Sequence, residues 1–145
     1  MKKVLYATDY SEPSQYALHV AESLARDGDA RLLIVHVSET EASPVGELFD
    51  EDPEPSPTEV ARLNAVVPRD AGVSCEHRLI CPAPASENVH IADEIIQLAE
   101  QEGADVIVIG THGRTGLSRL LAGGVAESVM RRATCAVITV GKRHA

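Results

Sequence analysis

The sequence contains little of what several protein classes require. Only 13 of its 145 residues are Lys or Arg, against 22 Asp or Glu, which gives a formal net charge of −9. The cations form no block, and affinity for nucleic acid comes largely from cationic contacts with phosphates, so we expect no nucleic-acid partner. Aromatic residues make up only 3% of the chain. None lies in a loop that could stack on a flavin, which disfavours a flavodoxin-like flavoprotein.

Long hydrophobic runs and paired cysteines are also missing. No apolar run approaches the ~18 residues needed to cross a bilayer. The N-terminus shows neither the hydrophobic segment nor the cleavage site of a signal peptide, so we expect a cytoplasmic protein without membrane insertion. The three cysteines Cys75, Cys81 and Cys135 have no CxxC spacing, which favours reduced thiols over a disulfide framework.

The sequence offers no clear catalytic or metal-binding group either. Its six histidines include no HxxxH pair with nearby Cys or Asp partners, so we expect no metal site. Ser118 and Ser128 lack the Gly-x-Ser-x-Gly setting of a nucleophile elbow, and no catalytic residue is predicted.

Short apolar segments alternate with amphipathic ones along the chain. Residues 4–7, 31–37, 73–80, 105–110 and 135–140 read as five strands, the third polar enough to be an edge. The first helix is predicted to begin after Ser11 as N-cap and stop at Gly28, with Glu22 on its outer face. Ser56-Pro57-Thr58-Glu59 forms a capping box for the second. The second helix is expected to bury Val60, Leu63 and Val67 against the sheet.

This order predicts an α/β fold, a single doubly wound five-stranded parallel sheet with helices on both faces. The expected strand order is 3-2-1-4-5 in one domain over residues 1–145. The acidic, Pro-rich residues 39–56 are expected to form a mobile loop. Ligands bind such sheets at the carboxyl ends of strands where the order reverses, which here means strands one and four.

Unusual sequence follows both of those strands. Thr8-Asp9 follows the first, and a glycine-rich segment over 110–124 follows the fourth. Glycines allow close backbone approach to a ligand, and Gly123-Gly124 precedes a helix whose free amides favour phosphate. The segment has no P-loop ending and no GxGxxG, so a Walker-type NTPase or dinucleotide dehydrogenase is not supported. A loop that merely needs tight turns remains an alternative, as does a turn-capping role for Asp9.

The spacing Gly110-x2-Gly113-x9-Gly123 resembles the Gly-x2-Gly-x9-Gly-Ser/Thr signature of the universal stress protein family. Residues 4–14, the strand ending His36-Val37, and residues 103–110 and 133–140 are similar to this family as well. The resemblance therefore covers essentially the whole chain. It implies an adenine nucleotide alpha hydrolase-like domain that serves as a regulatory module in the stress response. The implied ligand is ATP, ADP or AMP, with Mg²⁺ as a candidate companion of the triphosphate.

The resemblance also implies site residues and partners. The nucleotide-binding positions carried over are Ala7, Thr8, Asp9, Val37, Gly110, His112, Gly113, Arg114, Gly123, Gly124 and Val125. Asp9 would accept hydrogen bonds from ribose, and backbone at Thr8 and Val37 would meet adenine. Gly110 and Gly113 would face ribose and the first phosphate. The backbone amides of residues 123–125 would bind the phosphate tail. His112 and Arg114 would touch phosphate or remain solvated loop charges. A homodimer through the last strand, Ala136 to Val140, and an unidentified regulatory protein are the implied partners.

One position departs from the family signature. Gly124 stands where the family has Ser or Thr, so a hydroxyl expected near the terminal phosphate is missing. A hydrogen bond to a charged group is worth ~1.5–3 kcal/mol, which favours AMP or ADP over ATP. Two alternatives stay open. The first is a dimeric interaction protein with a degenerate, non-nucleotide-binding pocket, and the second is a slow ATPase.

Overall fold

A computed structural model of the chain describes residues 1–38, 56–81, 90–111 and 124–141. Its elements in chain order are β1 Lys3–Ala7, α1 Glu12–Gly28, β2 Arg31–Val37, α2 Pro57–Asn64, β3 Cys75–Ile80, α3 His90–Glu102, β4 Val106–Gly110, α4 Val125–Arg132 and β5 Ala136–Val140. The predicted alternation of strands and helices is therefore confirmed. The predicted acidic loop over residues 39–56 lies outside the described residues, except for Ser56 at its end.

The five strands form one parallel sheet in the order β3-β2-β1-β4-β5, as predicted. Alternate residues of each strand point to opposite faces. Leu5, Leu33 and Ile107 pack with α3 and α4 on one face. Val4, Leu32 and Val108 pack with α1 and α2 on the other. The inner strands are apolar throughout because both of their faces are covered.

Helix α1 begins as predicted, with the Ser11 side chain accepting from the Ser14 amide. The prediction that Glu22 faces outward is wrong. Glu22 is only 6% exposed, and its Oε1 accepts a 2.7 Å hydrogen bond from the Asp70 amide. The connection from α2 to β3 lies over this side of α1, so the carboxylate holds the connection in place.

Helix α2 starts at its predicted cap, where the Ser56 hydroxyl accepts a 3.0 Å hydrogen bond from the Glu59 amide. The predicted inward face of α2 is wider than the observed one. Three residues were expected in the core, and only Leu63 is buried. Val60 is 36% and Val67 52% exposed. The helix ends at Asn64, so Val67 lies beyond it, while Val60 lies on α2 with its side chain partly exposed.

The prediction that the third strand lies at an edge of the sheet is confirmed. Strand β3 lies at one end of the sheet and no residue in it is fully buried. The three cysteines are free. None of the described helices is both long and apolar enough to cross a bilayer.

Charged groups hold the first strand at the amino edge of the sheet. Asp105 Oδ2 accepts hydrogen bonds from the amides of Lys2 at 2.6 Å and Lys3 at 3.0 Å. These bonds hold the pKa of Asp105 below its usual value. The Lys3 ammonium pairs with Glu102 at 2.8 Å and Glu76 at 3.3 Å. The pKa of Lys3 is raised chiefly by the hydrogen bond to Glu102.

Candidate functional site

The carboxyl ends of β1 and β4 lie side by side, with Ala7 paired to Ile109. Beyond that pair the chain leaves in opposite directions. After β1 it enters α1 on one face of the sheet, and the helix that follows β4, α4, packs on the other. Such a divergence opens a crevice between the two strand ends, where α/β proteins bind ligands. Thr8, Asp9 and Gly110 lie at this crevice.

Asp9 is held by the start of α1. The residue is 9% exposed, and its Oδ1 accepts hydrogen bonds from the Ser11 amide at 3.0 Å and the Ser14 hydroxyl at 2.6 Å. The turn-capping role considered from the sequence is therefore real. Both of these bonds are made by Oδ1, and an ionised carboxylate has about four acceptor sites in all.

Sequence reasoning missed Ser14, which connects three parts of this edge. Its side chain is fully buried, its hydroxyl bonds Asp9, and its carbonyl accepts a hydrogen bond from the Tyr6 hydroxyl. Burial raises the pKa of Tyr6 well above its usual value, so this phenol stays protonated and donates. The available signal was a serine five residues after Asp9, inside the first turn of a helix.

Gly110 allows α1 to approach the end of β4. A Cβ atom at this position would lie 2.8 Å from Pro13 C, 2.8 Å from Ser14 N and 2.9 Å from Pro13 O. These are backbone atoms, which cannot move aside as a flexible side chain would. From the sequence, this glycine is expected to allow a ligand to approach the backbone, whereas the structure shows a packing reason on the α1 side.

The main chain of Val37 faces the crevice. The Val35 carbonyl accepts from the Thr8 amide at 2.8 Å, and the Ser38 amide donates to Ile80 at 2.8 Å. Main-chain groups of alternate strand residues point to the same side, so the N–H and C=O of Val37 point toward β1. Ala7 and Val35 form the last β1–β2 pair. Val37 thus presents a donor and an acceptor just beyond the end of β1.

The main chain of Thr8 is already engaged. Its amide bonds Val35, and its carbonyl oxygen lies 2.7 Å from His36 Nδ1. Because a carbonyl only accepts, His36 Nδ1 carries the proton. The predicted contact of Thr8 backbone with adenine is therefore limited to the second lone pair of this carbonyl. Ala7 is fully buried against α3 and α4, so its side chain belongs to the core beneath the crevice.

A cluster around Tyr10 joins the turn after β1 to α2. Tyr10 has a left-handed backbone, with φ 68°. Its ring lies 3.9 Å from the Arg62 guanidinium carbon and 4.6 Å from the His36 ring centre. Burial raises the pKa of the Tyr10 phenol. A left-handed non-glycine residue costs about 1–2 kcal/mol, and the cation–π contact offsets part of this cost. The sequence carried no signal for this cluster, because its members come from three distant elements.

On the other side of the crevice, Gly124 caps α4. Its φ of 80° is left-handed, a conformation that glycine adopts without the strain a side chain would cause. Its carbonyl accepts the first helical bond from the Ser128 amide at 2.8 Å. The amides of Val125 and Ala126 lie in the first turn, where a helix offers no internal acceptor. The remaining predicted positions, His112, Gly113, Arg114 and Gly123, lie outside the described residues.

A second concavity is separate from this crevice. A cleft of about 290 Å³ lies between the end of α3, the end of α4 and the starts of β4 and β5. Its lining includes Gly103, Ala104 and Cys135, which are at the amino edge of the sheet. It contains none of the residues predicted to bind nucleotide.

Comparison with known proteins adds to this geometry. The sequence profile of the universal stress protein family matches residues 1–141. A universal stress protein of Methanocaldococcus jannaschii is 31% identical over 97% of this chain and 82% of the relative. The solved structure of a second such protein of that organism has a TM-score of 0.69 at 27% identity and covers 99% of this chain and 98% of its own. A universal stress protein of Archaeoglobus fulgidus, solved in complex with dAMP, shares the fold with a TM-score of 0.60 at 23% identity, covering 97% of both chains.

Proposed function

The chain belongs to the universal stress protein family, and on that premise we propose that it is a cytoplasmic stress-response module that binds an adenine nucleotide. The proposed site is the crevice between the carboxyl ends of β1 and β4. The observation that carries the proposal is that the main chain of Val37 and the carboxylate of Asp9 flank the end of β1 together. The nucleotide complex of a protein with the same fold supports the choice of ligand.

Val37 is the proposed reader of the base. The Watson–Crick edge of adenine presents the N1 acceptor beside the N6 donor. The N–H and C=O of a single strand residue supply the complementary donor and acceptor. Because strand register fixes both groups, they need no rearrangement on binding, which lowers the entropic cost of association.

Asp9 and α4 are the proposed holders of ribose and phosphate. The Asp9 carboxylate would accept hydrogen bonds from ribose hydroxyls. The amides of Val125 and Ala126, with the positive end of the α4 dipole, would bind phosphate. Family resemblance adds His112, Gly113, Arg114 and Gly123 to this set, and Gly110 would contribute main-chain atoms only. Gly124 offers no hydroxyl, so AMP or ADP should be held better than ATP, and Mg²⁺ would accompany the triphosphate alone.

The edge strand β5 is the proposed dimer interface. Four of its five residues are partly exposed and the first is exposed. An apolar parallel strand at the end of a sheet invites pairing with another chain. A second copy joined through Ala136–Val140 would cover this edge, and nucleotide occupancy would then control which regulatory protein the dimer accepts. Sedimentation analysis should give twice the mass of one chain, and a monomer at micromolar concentration would contradict this part of the proposal.

Calorimetric titration of the whole chain with AMP, ADP and ATP tests nucleotide binding, with GMP as the control for the base. Asp9→Asn should weaken AMP binding by about 10-fold or more, because a hydrogen bond to a charged group is lost. Asp27→Asn, on the exposed far end of α1, is the matched control and should bind as the unchanged protein does. If no adenine nucleotide gives heat or raises the melting temperature, the degenerate-pocket alternative replaces the proposal.

The slow-ATPase alternative has its own test. Gly124→Ser restores the hydroxyl that the family signature carries, and it should raise phosphate release from ATP if the chain hydrolyses ATP at all. Absence of phosphate release in both forms would exclude hydrolysis and leave nucleotide binding as a regulatory event.

A further inference from the structure

We propose that Ser14 is the positioning residue for the site carboxylate: its buried hydroxyl sets the orientation in which Asp9 meets a ligand carrying a ribose diol. This inference rests on the proposed nucleotide function and deepens it. It predicts that discrimination between ribose and deoxyribose ligands depends on a residue that touches no ligand atom.

The Ser14 hydroxyl bonds Asp9 twice. It donates to Asp9 Oδ1 at 2.6 Å and accepts from the Asp9 amide at 3.2 Å. The shorter distance is in the range of charge-assisted O–H···O⁻ bonds, which are roughly twice as strong as neutral ones. The side chain and the backbone of Asp9 are thus both held by one atom.

Ser14 is itself immobilised by the core. It is 0% exposed, so its hydroxyl has no water to turn toward. Its carbonyl receives the Tyr6 phenol, and its amide bonds the Ser11 hydroxyl at 3.4 Å. The end of β4 packs against Ser14, because a Cβ atom at Gly110 would lie 2.8 Å from the Ser14 amide nitrogen. The position of the hydroxyl is therefore determined by β1 and β4, the two strands that form the crevice.

Helix capping does not account for this hydroxyl. Ser11 is the N-cap of α1, and Asp9 Oδ1 already accepts the Ser11 amide at 3.0 Å. The terminal torsion of an Asp side chain is broad and has no sharp rotamer wells. One hydrogen bond leaves that torsion free to vary, whereas two donors on the same oxygen fix the carboxylate plane. A fixed plane pre-organises the carboxylate for two adjacent hydroxyls of a ribose.

The test compares AMP with 2′,3′-dideoxy-AMP, which lacks the diol, in the whole chain and in two matched variants. In the unchanged protein the dissociation constant for the dideoxy compound should exceed that for AMP by about 10-fold or more. Ser14→Ala should reduce this ratio about 5-fold, mainly by weakening AMP binding. Ser11→Ala removes the helix cap and a 3.3 Å hydrogen bond to the Ser14 hydroxyl, but it keeps both Ser14–Asp9 bonds, so it should lower stability and reduce the ratio much less than Ser14→Ala does.

The outcomes are separable. An unchanged ratio in a folded Ser14→Ala protein overturns the positioning role while leaving nucleotide binding intact. If the unchanged protein binds neither compound, the proposed function itself is wrong and this inference falls with it. Should Ser14→Ala fail to fold, Ser14→Cys takes its place. Its weaker donor should give an intermediate ratio, and a ratio equal to that of the unchanged protein would then count against the role.

Discussion

Replacing Gly110 by alanine tests the packing between the start of α1 and the end of β4. The added Cβ would lie within 2.9 Å of three backbone atoms of Pro13 and Ser14, so α1 must shift outward. Overpacking of this kind costs ~1–3 kcal/mol. Replacing glycine by alanine also lowers the conformational entropy of the unfolded chain, which offsets ~0.4–1 kcal/mol of that cost. We expect a net loss of about 1–2 kcal/mol, which lowers the melting temperature by about 3–8 °C in a chain of this size.

Two other glycines provide controls that separate crowding from strain. Gly28→Ala puts a Cβ 3.5 Å from the Met1 side chain, an ordinary contact, and should stabilise the protein by ~0.4–1 kcal/mol. Gly103→Ala meets nothing within 4 Å but has a φ of +66°, so its cost of about 1–2 kcal/mol is backbone strain alone.

Urea unfolding and AMP titration of the three variants together give the decisive comparison. Gly110→Ala should lose both stability and affinity, because the shift of α1 carries Ser14 and Asp9 with it. Gly103→Ala should lose stability only, since Gly103 lies at the opposite edge of the sheet. A Gly110→Ala protein as stable as the Gly28→Ala protein would refute the close contact between α1 and β4.

Three further substitutions test separate parts of the fold. Asp105→Asn should lower the urea midpoint at pH 7. The pKa of Asp105 is lower in the folded protein than its unfolded value near 3.8. Its contribution to the free energy of unfolding is therefore complete above pH 3.8 and is lost as the pH falls through the folded-state pKa. At that low pH the variant and the unchanged protein should be equally stable. Glu22→Ala leaves the Asp70 amide without its acceptor and should cost ~1–3 kcal/mol, while Glu22→Gln keeps an acceptor and should cost less. Gly124→Ser places a side chain at φ 80° and should cost about 1–2 kcal/mol in thermal unfolding.

Each of these three has a contradicting result. An Asp105→Asn deficit that persists unchanged in acid would show that ionisation is not its source. Equal stability of the Glu22→Ala and unchanged proteins would mean that water replaces the carboxylate at the Asp70 amide. A Gly124→Ser protein with an unaltered melting temperature would show that the start of α4 does not require a left-handed residue.

The sequence predicted the elements well where the signals are local. Ser11 and Ser56 were identified as caps because a cap bonds an amide only three residues away. The parallel sheet and its strand order followed from alternating apolar strands and helices together with the family resemblance. The ligand site stays a prediction, and it rests on local position as well, since Asp9 lies two residues after β1 and Gly110 is the last residue of β4.

Predictions failed where a distant element decides the environment. Glu22 lies on the polar side of α1, and only the path of the chain near Asp70 makes that side interior. Val60 and Val67 have apolar side chains but are not buried, and Val67 lies beyond the end of α2. Periodicity shows which residues share a face and cannot show what covers that face.

The amino-acid sequence by itself therefore determined the order of strands and helices, the N-caps of α1 and α2 and the two strand ends where a ligand site is expected. The tertiary structure alone decided that the hydroxyl of Ser14 holds the carboxylate of Asp9, and that α1 rests on the backbone of β4 at Gly110. The physical reason is range. Capping and amphipathic patterning act within a few residues. The Ser14–Asp9 bond is also short in sequence, but the β4 backbone at Gly110 against which Ser14 packs is about a hundred residues away.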